Sequence, residues 1–106
     1  MNSGKGMRNK LEVIWSYEAA KSSDQIIKYL LEEWTVKEAF NFLETLKGFE
    51  EIVSYFPELY PVTLKKKGYR KAVILKQISI LYSVKRNSIL VHTIIDNRQD
   101  PKKSSK

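Results

Sequence analysis

The chain has one histidine, His92, in the run Ile89 to Ile95 (ILVHTII). An imidazole titrates near neutral pH and can serve as a general base or acid. Between Val91 and Thr93 it reads first as a partly buried strand histidine, and second as a general base whose partner the sequence does not name. Tyr82 could move a proton too, but it alternates with Ile80 and Val84 and so reads as core before catalyst. The cations are more numerous. Arg70, Lys71, Lys76 and Arg98 lie on or beside strand-like segments and are the main candidates for contact with a target. Lys65, Lys66 and Lys67 form a loop that adds to the positive field. Each of these cations has the plainer reading of a solvated charge.

The chain is 106 residues long, with 19 Lys+Arg against 12 Asp+Glu, a net charge of +7. The charge is unevenly spread. Residues 1–60 carry 7 basic and 10 acidic side chains, whereas residues 61–106 carry 12 basic and 2 acidic ones. A basic half of this kind is the footprint of a polyanion or of an acidic protein partner. Without cysteine there are no disulfides, thiolate metal sites or cysteine nucleophiles, and one histidine excludes a multi-histidine metal site. No metal and no cofactor is expected. There is no Gly-rich phosphate loop and no helix-turn-helix signature. No apolar run approaches the ~18 residues of a membrane span, and residues 1–10 do not read as a signal peptide. A cytoplasmic protein with no membrane partner is expected. Oligomeric state leaves no signal in the sequence.

The elements that must position these residues follow from periodicity. Residues 1–10 are expected to be a flexible segment, 11–96 a single domain and 97–106 a basic tail. Leu11 to Trp15 reads as a strand with Leu11, Val13 and Trp15 on one face. Tyr17 to Trp34 reads as a helix capped by Ser16, with Ala20, Ser23, Ile27, Leu30 or Leu31, and Trp34 as its stripe. Thr35 and Glu38 form a capping-box pattern opening a second helix. That helix carries Val36, Ala39, Phe40, Leu43, Leu46, Phe49, Val53 and Phe56, and Pro57 ends it. Glu32, Glu33, Glu50 and Glu51 are expected to be exposed charges on the two helices. Tyr69 to Gln77, Ile78 to Val84 and Ile89 to Ile95 then read as strands, with a turn at Lys85 to Ser88. In the middle strand Ile78, Ile80, Tyr82 and Val84 should face the helices, while Ser79, Leu81 and Ser83 face outward. The expectation is an α+β domain, with a helical hairpin on one face of a small, mostly antiparallel sheet in the order β-α-α-β-β-β.

This layout resembles the RelE/ParE family of bacterial toxins, the toxic halves of type II toxin–antitoxin pairs. The resemblance runs from about residue 11 to 102. It rests on Val13 to Ala19 at the first strand and helix entry, on Ile26 and Tyr29, and on the connector Phe56 to Pro61. It also rests on Gly68 to Lys71, on Ile78 to Val84, and on Ile89 to Pro101 with its Arg-x-Asp ending. The family implies two activities. RelE-like members cut messenger RNA on the ribosome, with Lys and Arg holding the phosphate. ParE-like members instead poison DNA gyrase, and both are blocked by a cognate antitoxin. Ser79 stands where RelE-like enzymes tend to carry an Arg, and Asp96 where many carry a His. A serine cannot hold a phosphate as a guanidinium does. The resemblance therefore favours a ParE-like, gyrase-binding toxin over a nuclease acting with ribosome and mRNA, or over an inactive relative that only binds antitoxin. An acidic antitoxin segment is expected to cover the sheet edge and the helical hairpin.

Overall fold

The computed structural model describes residues 10–63 and 68–96. Its elements are β1 (Glu12–Trp15), α1 (Tyr17–Glu33), α2 (Val36–Tyr55), β2 (Arg70–Leu75), β3 (Ile78–Val84) and β4 (Ser88–Asp96). The order is the expected one. The four strands form one sheet, β1-β4-β3-β2, in which β1 runs parallel to β4 and the other neighbours are antiparallel. Both helices cover one face.

The helix starts follow their local chemistry. Ser16 Oγ accepts the Ala19 N–H and Thr35 Oγ1 accepts the Glu38 N–H, so each cap satisfies a donor that the first turn leaves open. Trp34 and Thr35 alone separate the helices. Such a short connection makes them antiparallel neighbours.

The buried stripes differ from the expected ones. On α1 the core takes Ala19, Ile26 and Leu30, while Ala20, Leu31 and Trp34 are exposed. On α2 it takes Ala39, Phe42, Leu46, Phe49 and Val53, while Val36, Phe40, Leu43 and the capping Phe56 are exposed. Phe42 is the anchor that the spacing argument missed. Each helix carries a second apolar stripe about one residue away from the first. Periodicity alone does not say which of two such stripes turns to the sheet.

Ile78, Ile80 and Tyr82 of β3 face the helices as expected, with Ile89, Val91 and Ile94 of β4 beside them. The step from Val91 to Ile94 breaks a period of two. The pairing shows why: Tyr82 lies opposite Val91 but Leu81 lies opposite Thr93, so His92 is an extra residue in the strand. This is a β-bulge, which re-aims the side chains around it. A second irregularity falls between Val73 and Leu75 of β2. There both Ile74 and Leu75 pack against the core.

Candidate functional site

The sheet face away from the helices carries the site. Because of the bulge, both His92 and Thr93 border a concavity of about 520 Å³, together with Glu18, Thr63, Tyr69, Lys71, Leu81 and Ile95. Strict alternation would have put one of the two on the core side.

His92 is held by a hydroxyl at one ring nitrogen and by an aromatic ring laid on its face. Ser83 Oγ lies 2.8 Å from Nε2 and Tyr69 Oη lies 3.3 Å from Nδ1. The Tyr69 ring also stacks on the imidazole, with centroids 4.1 Å apart and planes 6° from parallel. Beside it, Thr93 Oγ1 donates to Glu18 Oε2 over 2.9 Å, tying β4 to the first turn of α1. Ser16 Oγ donates to the His92 carbonyl over 2.8 Å, so the cap of α1 also holds the backbone of the bulge. The histidine thus has the partners that sequence could not name. Tyr69 and Ser83 were missed as its neighbours because the bulge that aligns them leaves no mark in residue type.

Ser79 and Ser83 were expected to face open solvent. They are 8% and 6% exposed. Ser79 lies between Val73 of β2 and Ile95 of β4, and Ser83 is engaged by His92. Cross-strand neighbours on a central strand close over side chains this small.

The cationic candidates separate. Lys71 is exposed on the rim of the His92 concavity, across from Leu81. Arg70 turns away from it. Its Nη1 donates to the Tyr60 carbonyl at 2.6 Å and to the Glu58 carbonyl at 3.4 Å, so it fastens the connector after α2. Pro61 and Thr63 of that connector also pair with the start of β2 and the residue before it, through Lys71 N–H to Pro61 O and Thr63 N–H to Tyr69 O. Lys76 is exposed in the turn after β2, at the opposite end of that strand from Arg70. Lys65, Lys66, Lys67 and Arg98 lie outside the described residues, as do the segments 1–9 and 97–106.

Tyr82 is core, as its alternation implied. Its ring meets Phe49 and Tyr60 edge-on, with centroids 5.7 and 6.3 Å away, and its hydroxyl donates to the Pro57 carbonyl over 2.7 Å. Burial pushes its pKa up to about 12, against a smaller opposing pull from Arg70. It is a locked phenol, pinning the connector from within as Arg70 does from outside. Among the described residues no group of three or more His, Asp or Glu side chains could hold a metal ion, and no helix is long and apolar enough to cross a membrane.

Neither a family model nor a curated protein sequence matches the chain. Solved structures do. A component of the chromosomal ParDE toxin–antitoxin system from P. aeruginosa superposes with a TM-score of 0.68 at 16% identity, covering 82% of this chain and 96% of that one. The E. coli DinJ–YafQ toxin–antitoxin complex gives 0.57 at 12% identity, covering 88% and 99%. The protein HP0894 from Helicobacter pylori gives 0.55 at 18%, covering 83% and 96%. At these identities the likeness is one of fold, and the fold is RelE/ParE-like.

Proposed function

We propose that the chain is the toxin of a type II toxin–antitoxin pair, and that it stops growth by binding DNA gyrase in the cytoplasm. The fold supports the toxin reading, since two of its neighbours come from toxin–antitoxin assemblies. One observation supports binding over catalysis: Arg70 spends its guanidinium on the Tyr60 and Glu58 carbonyls. A phosphate-cutting site needs such a group aimed at the charge that develops in the transition state. Lys71, Lys76, Arg98 and Lys65 to Lys67 are the proposed target contacts, acting through a positive field with no covalent step. The cognate antitoxin lays an acidic segment along the β2 edge, past the part covered by Pro61 to Thr63, where Val73 stands exposed.

A second reading is favoured by the bulge. His92, held by Ser83 and Tyr69 with Lys71 on the rim, is a group that could take the 2′-hydroxyl proton of an RNA, as a ribosome-dependent endoribonuclease requires. Two assays separate the readings. Brief expression followed by mapping of mRNA ends should reveal no cuts, and the purified protein should inhibit DNA supercoiling by gyrase. Codon-associated cuts that vanish in His92→Ala, with gyrase unaffected, would replace the first reading by the second.

A further inference from the structure

Of the described residues that line the His92 concavity, Glu18 alone is acidic. It stands in the first turn of α1, where the helix dipole favours negative charge, and its Oε2 accepts the Thr93 hydroxyl over 2.9 Å. The side chain is exposed, yet that bond ties it to the strand that carries His92. Thr93 reaches this face because of the bulge, so the irregularity that presents the histidine also aims the carboxylate beside it. The ion pair among the described residues joins Lys10 and Glu51, so Glu18 is not paired with Lys71 on the rim. Glu50, expected to be a free surface charge, is held in a comparable way by the Trp15 indole N–H, but it does not line the concavity.

The other groups on this face suit a nucleic acid. Tyr69 stacks on His92, Thr63 and Thr93 bring hydroxyls, and Lys71 is exposed, in a half of the chain with 12 basic against 2 acidic side chains. Aromatic rings accept unstacked bases, and lysines neutralise phosphates. A fixed carboxylate among them does the reverse. It repels a phosphate, and closing a polyanion over it would strip water from two like charges. We propose that Glu18 is the specificity-determining residue of this face: it excludes RNA and DNA strands from the His92 concavity. On the gyrase-binding reading above, on which this part of the inference rests, Glu18 thereby reserves the face for protein. A protein partner can meet the carboxylate with Lys, Arg or a backbone N–H, donors that a phosphate lacks. Selectivity of this kind comes from a built-in repulsion of the wrong partner and needs no added attraction for the right one. The residue that carries it is supplied by a helix, outside the basic half that draws anions in.

The test uses the full chain and single-stranded RNA of about 12 nucleotides, a length within the range that such surfaces cover. Binding is followed by fluorescence anisotropy of a dye on the strand, in about 0.1 M salt. Glu18→Gln keeps an acceptor for Thr93 and removes only the charge. It should tighten RNA binding about tenfold, and Glu18→Lys should tighten it further. Glu32→Gln makes the same change in net charge at the other end of α1 and should leave binding within about twofold of the parent chain. Lys71→Ala in the Glu18→Gln chain should remove the gain, as a strand bound in the concavity requires. Glu18, Glu32 and Lys71 are exposed, so thermal melts should stay close to that of the parent chain. Equal affinities in Glu18→Gln and Glu32→Gln, a gain that survives Lys71→Ala, or a parent chain that binds RNA as tightly as Glu18→Gln would each overturn the proposal. Inhibition of gyrase supercoiling by the parent chain, measured in parallel, keeps the two claims apart: its absence removes the gyrase-binding reading, while the RNA affinities alone decide whether Glu18 excludes the strand.

Discussion

Phe40 and Phe42 stand two residues apart on α2, one 58% exposed on the outer side of the hairpin and the other 1% exposed in the core. On the sheet, His92 and Thr93 are adjacent in β4 and reach the same open face. The hairpin keeps its helical period and so presents two apolar stripes, of which the sheet covers one. The sheet breaks its period at a single residue and so gathers polar groups that alternation would have divided. A regular element therefore leaves a choice between equivalent faces, whereas an irregular one creates a site by the irregularity itself. The two surfaces also differ in sign: acidic on the hairpin, and basic in the half of the chain that builds the other strands.

The sharpest way to break this contrast is to truncate the two phenylalanines. Phe42→Ala should cost about 3–5 kcal/mol, the range for a buried aromatic ring, whereas Phe40→Ala should stay within about 1 kcal/mol. Denaturant melts of the pair check this, and equal losses would mean that the outer stripe is part of the core.

On the sheet side, the phenol of Tyr82 offers a pH test. Tyrosine ionises near pH 10 in an unfolded chain, and this one is pushed up to about 12 by burial. The folded state thus holds the proton more tightly. The contribution to stability is complete below about pH 10 and is lost as pH rises from about 10 toward 12. Melting temperatures should hold level up to about pH 9.5 and then fall, and the fall should be shallower in Tyr82→Phe.

The neighbouring cations should then part company. Arg70→Ala removes a charged donor from two carbonyls and should cost about 1.5–3 kcal/mol. It should also expose the connector at residues 57–63 to limited proteolysis. Lys71→Ala should change stability by no more than ~0.5 kcal/mol while lowering toxicity in a growth assay. Arg70 and Lys71 losing toxicity equally with unchanged melts would assign Arg70 to the target after all.

The smallest effect returns to the hairpin. Gly48 lies within α2, where an added Cβ meets nothing within 4 Å. Gly48→Ala should therefore stabilise the protein by up to ~1 kcal/mol, visible as a rise in the thermal midpoint with toxicity unchanged.

Much of the fold was legible because its signals are local. Ser16 and Thr35 mark helix starts by side-chain chemistry, Pro57 follows the end of α2, and β3 shows its core face as Ile78, Ile80 and Tyr82 at a spacing of two. The site was less legible. Arg70 stands in the sequence like any other cation of the basic half, and only the return of Glu58 and Tyr60 beneath it turns it into a clasp. His92 lacked a visible partner because Ser83 lies on β3 and Tyr69 just ahead of β2, and both meet it only at the bulge. The position of Phe42 was lost because the stripe through Phe40 and Leu43 is an equally good helical pattern. What separates the two is tertiary covering, which no single helix encodes.

The parallel pairing of β1 with β4 has a consequence for how the molecule comes into being. Every contact that completes the sheet joins opposite ends of the described chain: Ser16 and His92, for instance, are 76 positions apart. At a synthesis rate of about 5–20 residues per second, that separation is roughly 4–15 s of translation. The hairpin, built from neighbours in sequence, can form within that interval, while β1 waits for a strand not yet made. Closing so long a loop is also entropically slow. The bulge that gathers Ser83, Tyr69 and His92 is thus among the last features to exist, and a chain interrupted before β4 has its helices but not its site.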